Sequence, residues 1–369
     1  MPAPYRADHV GSLLRPAAVH DAHEKFAEGA ISAAELKAIE DEGIKGLIKM
    51  QEDVGLKVVT DGEARRHFWH YDFLAGLDGV KFVERDAETG NAFHGIKHPA
   101  TFPTIIGKLD FPDDHPMLEH FKFVAANTKV TPKISIPGPS VAHYRTAKSD
   151  IHVADYADTE VMMADLAKTY AKVVRKFYDA GCRYLQMDDI YFAYLGDENQ
   201  RALKRAEGYD PDWLITKYAW MMHEAIKDRP ADMLIGMHMC RGNFRSTWAA
   251  EGGYDAAADA IFNQTGVDMF FMEYDSDRAG GLEPLRLLSK GKQRVYPGFI
   301  TTKTGALESL DMLKAQFDKA SKFVELDQLG IAPQCGFSST EHGNAITEDD
   351  QKRKLELVVQ TAHAIWGEP

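Results

Sequence analysis

Two patterns of hydrophobic positions alternate along the chain. Short runs that are rich in β-branched or aromatic residues, or apolar and bounded by turn residues, indicate β-strands. These runs are His9–Ser12, Lys57–Asp61, Lys133–Pro137, Arg183–Asp188, Leu234–His238, Met269–Glu273, Arg294–Ile300 and Leu329–Gln334. Between most of them, apolar residues recur at the spacing of an amphipathic helix. These helical stretches are Ala33–Val54, Thr159–Ala180, Leu307–Phe323 and Asp349–Trp366.

Eight strands separated by helices predict an α/β fold, and specifically a (β/α)8 TIM barrel. A doubly wound open sheet is the alternative. The helix ends agree with the pattern, because Gly55 and Gly181 follow helical stretches as C-terminal caps do. Thr347 stands three residues before Asp350, which resembles a capping box without its usual Glu or Gln.

The largest predicted insertion into the barrel follows strand 2, at about residues 76–130. It contains Gly79–Val83 and Thr104–Gly107, which are expected to pair as a hairpin over one mouth of the barrel. There is no low-complexity tract, short repeat or Gly/Ser linker in the sequence. We therefore expect residues 1–369 to form one catalytic barrel domain.

Charge and composition exclude some classes of function. The 369 residues include 43 Lys and Arg against 56 Asp and Glu, a net charge of −13, so there is no basic excess for binding nucleic acid. No apolar run is long enough to span a membrane, and the N-terminus has no apolar signal core. We expect a cytoplasmic protein without membrane or nucleic-acid partners. A homo-oligomer is compatible with this composition.

Four potential metal ligands fall at the carboxyl ends of predicted strands. His238 and Cys240 end one run at spacing i, i+2, so both side chains point to the same face. Glu273 closes the next run, and Cys335 follows the last. Nitrogen, sulfur and oxygen ligands in this combination suit zinc. The alternative is two buried apolar cysteines and a solvated or ion-paired glutamate. Cys182 precedes its strand and is expected to be structural.

Carboxylates form a second set on the same side of the barrel. Glu63 ends the segment after the second predicted strand, and Asp188 and Asp189 end the fourth. Such acids could hold the ammonium group of an amino-acid substrate or move protons. The alternatives are a helix N-cap for either aspartate and an ion pair of Glu63 with Arg65 or Arg66.

The first predicted strand ends at Ser12, and Gly11 before it allows the backbone to approach a ligand closely. A simple turn is the alternative. The sequence has no GxGxxG motif, P-loop or Ser-His-Asp order, so nucleotide cofactors and serine hydrolysis lack support.

At these residues the sequence resembles the catalytic C-terminal half of cobalamin-independent methionine synthase, and more closely the short single-barrel proteins related to it. The resemblance covers nearly the whole chain. Its motifs are Val10-Gly11-Ser12, Asp61-Gly62-Glu63, Gln186-Met187-Asp188-Asp189, Gly236-Met237-His238-Met239-Cys240, Phe270-Phe271-Met272-Glu273-Tyr274 and Pro333-Gln334-Cys335-Gly336-Phe337.

The resemblance implies a (β/α)8 barrel that binds one Zn2+ and methylates homocysteine to methionine. The implied metal ligands are His238, Cys240, Glu273 and Cys335. The implied substrate-binding residues are Val10, Gly11, Ser12, Glu63 and Asp188, and of these Glu63 and Asp188 are the candidate catalytic residues. The implied partners are a homocysteine-like thiol and a methyl donor.

The half of the family's site that serves the methyl donor is altered in this chain. Thr301 stands where the family has a histidine that donates a proton to the folate leaving group. The family's pterin-stacking tryptophan is absent near Gly138-Pro139-Ser140, where Val141-Ala142-His143-Tyr144-Arg145 follows. The donor could therefore be methylcobalamin, another form of folate or another methylated compound.

Three other functions compete with thiol methylation by a zinc enzyme. The first is alkyl transfer to another thiol, as in epoxyalkane:coenzyme M transferase, and the paired acids Glu63 and Asp188 argue against it. The second is a metal-free decarboxylase resembling uroporphyrinogen decarboxylase, against which the three sulfur and nitrogen ligands argue. The third is a non-catalytic zinc- or thiol-binding protein, in which acids directed at a substrate would have no role.

Overall fold

The computed structural model describes residues 5–85 and 100–368. Within them the chain forms eleven α-helices. Their bounds are α1 Ala17–Ala27, α2 Ala33–Asp53, α3 Tyr71–Ala75, α4 Pro116–Asn127, α5 Pro139–Arg145, α6 Thr159–Asp179, α7 Tyr191–Tyr194, α8 Glu198–Ala206, α9 Pro211–Ile226, α10 Leu310–Ala320 and α11 Glu348–Trp366.

The same residues contain nine strands. Their bounds are β1 Val58–Val59, β2 Asp78–Arg85, β3 Ala100–Asp110, β4 Thr131–Pro132, β5 Ile134–Pro137, β6 Tyr184–Asp188, β7 Leu234–Met239, β8 Met269–Glu273 and β9 Arg294–Gly298. Strands β5 to β9 form a five-stranded parallel sheet in chain order, and β1 pairs in parallel with β4. Parallel strands that alternate with helices confirm the predicted α/β class.

The first and last predicted strands, His9–Ser12 and Leu329–Gln334, are not regular strands. The last segment makes isolated parallel bridges instead, such as Ile331 with Ala7 and Pro333 with Ile300, and the bridge near the start of the chain lies at Ala7, before the first predicted segment. Proline has no N–H to donate to a ladder, and Gly11 has a φ of 138° that strand residues do not adopt. Both features interrupt regular pairing. The prediction of regular strands at these two segments is therefore wrong.

The predicted helices occur with small changes at their ends, and their caps explain where they begin and stop. Gly55 and Gly181 have φ values of 99° and 97°, the left-handed conformation expected after a helix. Thr347 and Asp350 form a complete capping box at α11, each side chain accepting from the other residue's backbone N–H. Aspartate therefore replaces the usual Glu or Gln at this helix start.

Large side chains and a buried ion pair fill the space between the strand segments. Val58, Tyr184, Met269, Phe271, Tyr296 and Ala332 form one cluster of buried residues from five strand segments. Beside it, Lys133 Nζ lies 2.7 Å from Asp8 Oδ1, and both side chains are 0% exposed. Lys133 also donates to Gln186 Oε1 at 3.1 Å. The floor beneath the strand ends is therefore held by packing and by a charged network.

The predicted hairpin in the insertion is confirmed. Strands β2 and β3 pair antiparallel, with Val80 opposite Ile105 and Lys81 opposite Thr104. The part of the insertion at 86–99 lies outside the described residues. Helix α4 completes the insertion before the chain returns to β4.

No helix within 5–85 and 100–368 combines the length and apolar character needed to cross a bilayer.

Candidate functional site

A cavity lies at the carboxyl ends of the strands. Side chains from several strand ends and the loops after them form its walls. The lining residues include Val10, Ser12, Glu63, Trp69, Tyr71, Arg145, Asp188, Tyr194, His238, Cys240, Phe244 and Cys335. Most of the residues singled out from the sequence therefore meet in one place, where α/β enzymes with parallel strands place their sites.

Three of the four predicted metal ligands converge in this cavity. His238 is in β7, and Cys240 follows the strand by one residue, so their side chains share a face as expected. Cys335 comes from the segment after β9. Ligand atoms of His238, Cys240 and Cys335 all lie within 4.8 Å of one another, and the three residues are buried. The two Sγ atoms are 3.3 Å apart, well beyond the ~2.05 Å of a disulfide bond.

Glu273, the fourth predicted ligand, is buried nearby but lies outside this group of three. Its Oε2 is 3.3 Å from Arg278 Nη2, while Oε1 is buried without a hydrogen-bond partner among the described residues. Burial raises the pKa of Glu273, because the charged carboxylate is poorly solvated there. The structure thus brings Glu273 to the edge of the cluster.

The cluster has the chemistry of a site for a soft divalent cation. His238 Nδ1 is 3.2 Å from the carbonyl oxygen of Phe271, and Nε2 is buried with no hydrogen-bond partner within the described ranges. A backbone carbonyl on one ring nitrogen leaves the other available to a metal. The Cys240 thiol lowers the pKa of Cys335 well below its usual value. One sulfur is therefore readily deprotonated, as a metal-binding thiolate must be.

Glu63 reaches the cavity from a tight turn after β1. Its φ is 59°, unusual for a residue with a side chain, and its Oε1 accepts a hydrogen bond from Ser135 Oγ at 2.8 Å. Its Oε2 is 3.6 Å from Arg66 Nη1 and has no hydrogen-bond partner among the described residues. Burial raises the pKa of Glu63. The alternative ion pair with Arg66 is thus present as a loose contact, while Arg65 pairs elsewhere.

Asp188 ends β6 and also lines the cavity. Gln186 Nε2 donates to its Oδ1 at 2.7 Å, and Gln186 is itself fixed by Lys133 and by the carbonyl of Val10. Burial raises the pKa of Asp188 to about 7. Asp189 points elsewhere, where its carboxylate accepts a hydrogen bond from Ser140. Neither aspartate is the N-cap of α7, whose N-cap is Ile190.

The segment Val10–Ser12 forms part of the cavity wall through Val10 and Ser12. Gly11 is not a lining residue, and its carbonyl accepts a hydrogen bond from Thr60 Oγ1 at 2.6 Å. A Cβ atom at Gly11 would lie 2.7 Å from Ser135 Oγ, the group that holds Glu63. Glycine is therefore required here because backbone and acid approach closely.

Several residues of the cavity were not predicted from the sequence. Trp69, Tyr71, Tyr194 and Phe244 give it aromatic walls, and Arg145 adds a cation. The aromatic positions show no strand or helix periodicity that would mark them, since they lie in loops and short helices. Arg145 stands in the stretch after Gly138-Pro139, where a departure from the family pattern was the only signal.

A second group of possible metal ligands lies on the protein surface. Ligand atoms of His23, His67 and Glu341 lie within 4.8 Å of one another, but His67 is exposed. His67 Nδ1 is 2.8 Å from Glu341 Oε2 and His23 Nε2 is 2.9 Å from Glu40 Oε1. No pattern in the sequence marks this group, because its members come from α1 and two distant loops.

Comparison with known proteins gives consistent matches along the whole chain. A family model described as "Cobalamin-independent synthase, Catalytic domain" matches residues 6–363. The uncharacterized protein YxjH of Bacillus subtilis is 45% identical over 368 residues, covering 99% of this chain and 95% of that protein. A methionine synthase of Pyrococcus abyssi is 24% identical over 328 residues, covering 89% and 84%.

Solved structures show the same similarity. A Listeria monocytogenes protein thought to be a vitamin-B12-independent methionine synthase has 38% identity and a TM-score of 0.78, with full coverage of both chains. A B12-independent methionine synthase from Shewanella sp. W3-18-1, solved in complex with selenomethionine, has 20% identity and a TM-score of 0.73 over 98% of each chain. The second comparison shows a shared fold.

Proposed function

The chain belongs to the family of cobalamin-independent synthase catalytic domains, and from that premise we propose that it is a zinc-dependent methyltransferase acting on a thiol. The proposed acceptor is homocysteine and the product methionine. One observation carries the proposal: the cluster of His238, Cys240 and Cys335 opens onto the same cavity as the two buried acids Glu63 and Asp188. The proposed thiol site and the proposed ammonium site are therefore adjacent.

The proposed cofactor is one zinc ion, held by His238, Cys240 and Cys335 with Glu273 as fourth ligand. Two sulfurs with a nitrogen and an oxygen are a donor set that zinc accepts readily. When bound, the ion would supply positive charge that favours the thiolate form of a substrate sulfhydryl at neutral pH. Arg278, which contacts Glu273 Oε2, would hold that carboxylate while its Oε1 stays available.

The protein's own residues would bind and orient the acceptor. Glu63 and Asp188 line the cavity, and their negative charges would hold the substrate ammonium between them. Ser12 and the backbone of Val10 and Gly11 would receive the substrate carboxylate. Binding an ammonium group would favour the ionised forms of both acids, whose pKa values burial raises. Orientation of this kind supplies much of the rate gain when two reactants must meet.

We further propose that the eight strand segments close into a (β/α)8 barrel and that residues 1–369 act as one catalytic domain. In support, parallel bridges extend the five-stranded sheet from β9 to the segment at Leu329 and from Ile331 to Ala7. Leu13 N also donates to Gly62 O at 2.9 Å, which links the first segment to the second. The three cysteines are all free thiols, which accords with the proposed cytoplasmic location.

Product analysis tests the proposed reaction. Zinc-loaded protein is incubated with homocysteine and, separately, with methyltetrahydrofolates, methylcobalamin and small methylated sulfur and nitrogen compounds, and products are identified by mass spectrometry. We expect methionine from at least one donor, and its loss in Asp188→Asn. Glu356→Gln, on the outer helix α11, is the matched control and should retain activity. If zinc-loaded protein methylates homocysteine from none of these donors, the proposed function is wrong.

A further inference from the structure

Arg145 places a positive charge at the wall of the cavity. It ends α5 and lines the cavity together with Tyr71 and Tyr194. Its Nε donates to Tyr191 Oη at 3.0 Å, and its guanidinium carbon lies 5.8 Å from the centre of the Tyr71 ring. The cation is therefore held in place by tyrosines on two sides.

Arg278 and Arg65, whose side chains are also largely buried, have acidic partners that Arg145 lacks. Arg278 is paired with Glu273 and Asp275, and Arg65 with Glu40 and Asp41. In the part of the chain that the structure describes, the side chain of Arg145 is in no ion pair and makes one hydrogen bond, to Tyr191. A guanidinium group has several further N–H donors in a planar fork. These donors are available to a molecule in the cavity.

The residues around Arg145 indicate the chemistry of a molecule that would bind there. Tyr144 stacks on Tyr191 with ring centres 3.8 Å apart, and Tyr194 meets both rings edge-on. Trp69, Tyr71 and Phe244 add further aromatic surface to the cavity. Aromatic faces favour a flat or apolar body, and a partly buried cation without a counter-charge favours an anion beside it.

The anion that fits best is a carboxylate. A carboxylate can accept two parallel hydrogen bonds from one guanidinium fork. A phosphate dianion carries more charge than a single arginine balances, and the cavity already contains the acids Glu63 and Asp188. Resting on the proposed methyltransferase function, we propose that the methyl donor bears a carboxylate that pairs with Arg145 while its body packs against the aromatic walls. Arg145 would then determine donor specificity.

The charge preference can be measured without turnover. Calorimetric titration of the full chain with benzoate and with its neutral isostere benzamide reports whether the cavity selects a carboxylate on an aromatic ring. We expect benzoate to bind at least ~10-fold more tightly than benzamide, as one charge-assisted hydrogen-bonding site allows. Arg145→Gln should abolish that difference, and Arg145→Lys should retain part of it. Arg175→Gln removes an exposed arginine of α6 and should leave the difference unchanged.

The result distinguishes failure of this inference from failure of the proposed reaction. Equal binding of benzoate and benzamide, or unchanged selectivity in a folded Arg145→Gln protein, overturns the role of Arg145 whether or not methyl transfer occurs. Tighter binding of phenylphosphonate than of benzoate overturns the choice of a carboxylate. With a donor acid found by product analysis, Arg145→Gln should raise KM for the acid ~10- to 100-fold and leave KM for its methyl ester unchanged.

Discussion

Replacing Glu63 by Gln tests how the acceptor amino acid is held. The substitution keeps the size of the side chain and removes its negative charge. In the structure, Glu63 Oε1 is held by Ser135 Oγ at 2.8 Å, and Oε2 is buried without a hydrogen-bond partner among the described residues. A glutamine amide at that position would present N–H groups, instead of an acceptor, to an incoming ammonium group.

The size of the effect follows from the kind of contact that is lost. A hydrogen bond to a charged group contributes ~1.5–3 kcal/mol, so Glu63→Gln should weaken homocysteine binding roughly 10- to 150-fold. The full Coulomb energy of the ammonium–carboxylate pair would be larger. Part of it, however, only offsets the desolvation cost of keeping the buried carboxylate charged. Ser135→Ala removes only the hydrogen bond that orients Glu63, and we expect a smaller loss of roughly 2- to 10-fold.

The assay uses a substrate pair as its internal control. Calorimetry with zinc-loaded protein compares homocysteine with 4-mercaptobutanoate, which has the same thiol and carboxylate and no ammonium group. Glu63→Gln should weaken binding of homocysteine alone and leave the zinc content unchanged. Unchanged homocysteine affinity, or an equal loss for both thiols, would refute the assignment of Glu63 to the ammonium group.

Three further substitutions test the fold that supports the site. Lys133→Met leaves the Asp8 carboxylate buried without its cation, so the free energy of unfolding in urea should fall by ~3–5 kcal/mol. The double variant with Asp8→Asn should recover much of that loss. No recovery would argue against the ion pair. Burial lowers the pKa of His143 to about 3, so the unfolded chain alone takes up this proton as pH falls below 6.5, and this histidine should make the free energy of unfolding ~2 kcal/mol lower at pH 5 than at pH 8. His143→Gln should lose that part of the pH dependence and the exposed-site control His363→Gln should keep it. Gly46→Ala, at an exposed position of α2 where a Cβ meets no atom within 4 Å, should raise the free energy of unfolding by ~0.5–1 kcal/mol; a loss would contradict the helical geometry.

The sequence predicted the parts of the site that depend on strand geometry. His238 and Cys240 share a face because side chains in a strand repeat with a period of two, and Cys335 follows another strand segment at the same edge. The same rule explains why Asp188 and Asp189 separate, since neighbouring residues of a strand point to opposite sides. Asp189 accordingly bonds Ser140, while Asp188 faces the cavity.

The rest of the site depends on contacts between distant loops, which periodicity does not encode. Arg145 could not be given a role from sequence, because its setting is made by Tyr71 of α3 and Tyr191 of α7. The first and last strand segments were predicted as regular strands, but Gly11 and Pro333 break their ladders for local backbone reasons. The position of Glu273 relative to the cysteines likewise follows from tertiary packing.

The central claim is that the buried cluster binds one zinc ion. Its most direct test is the metal content of the purified, dialysed protein and of its ligand variants, measured by elemental mass spectrometry. The account predicts about one zinc per chain, lost in Cys240→Ala and in Cys335→Ala and retained in His67→Ala, which removes the surface cluster. Zinc retained in both cysteine variants, or lost only in His67→Ala, would contradict the assignment of the metal to the buried cavity.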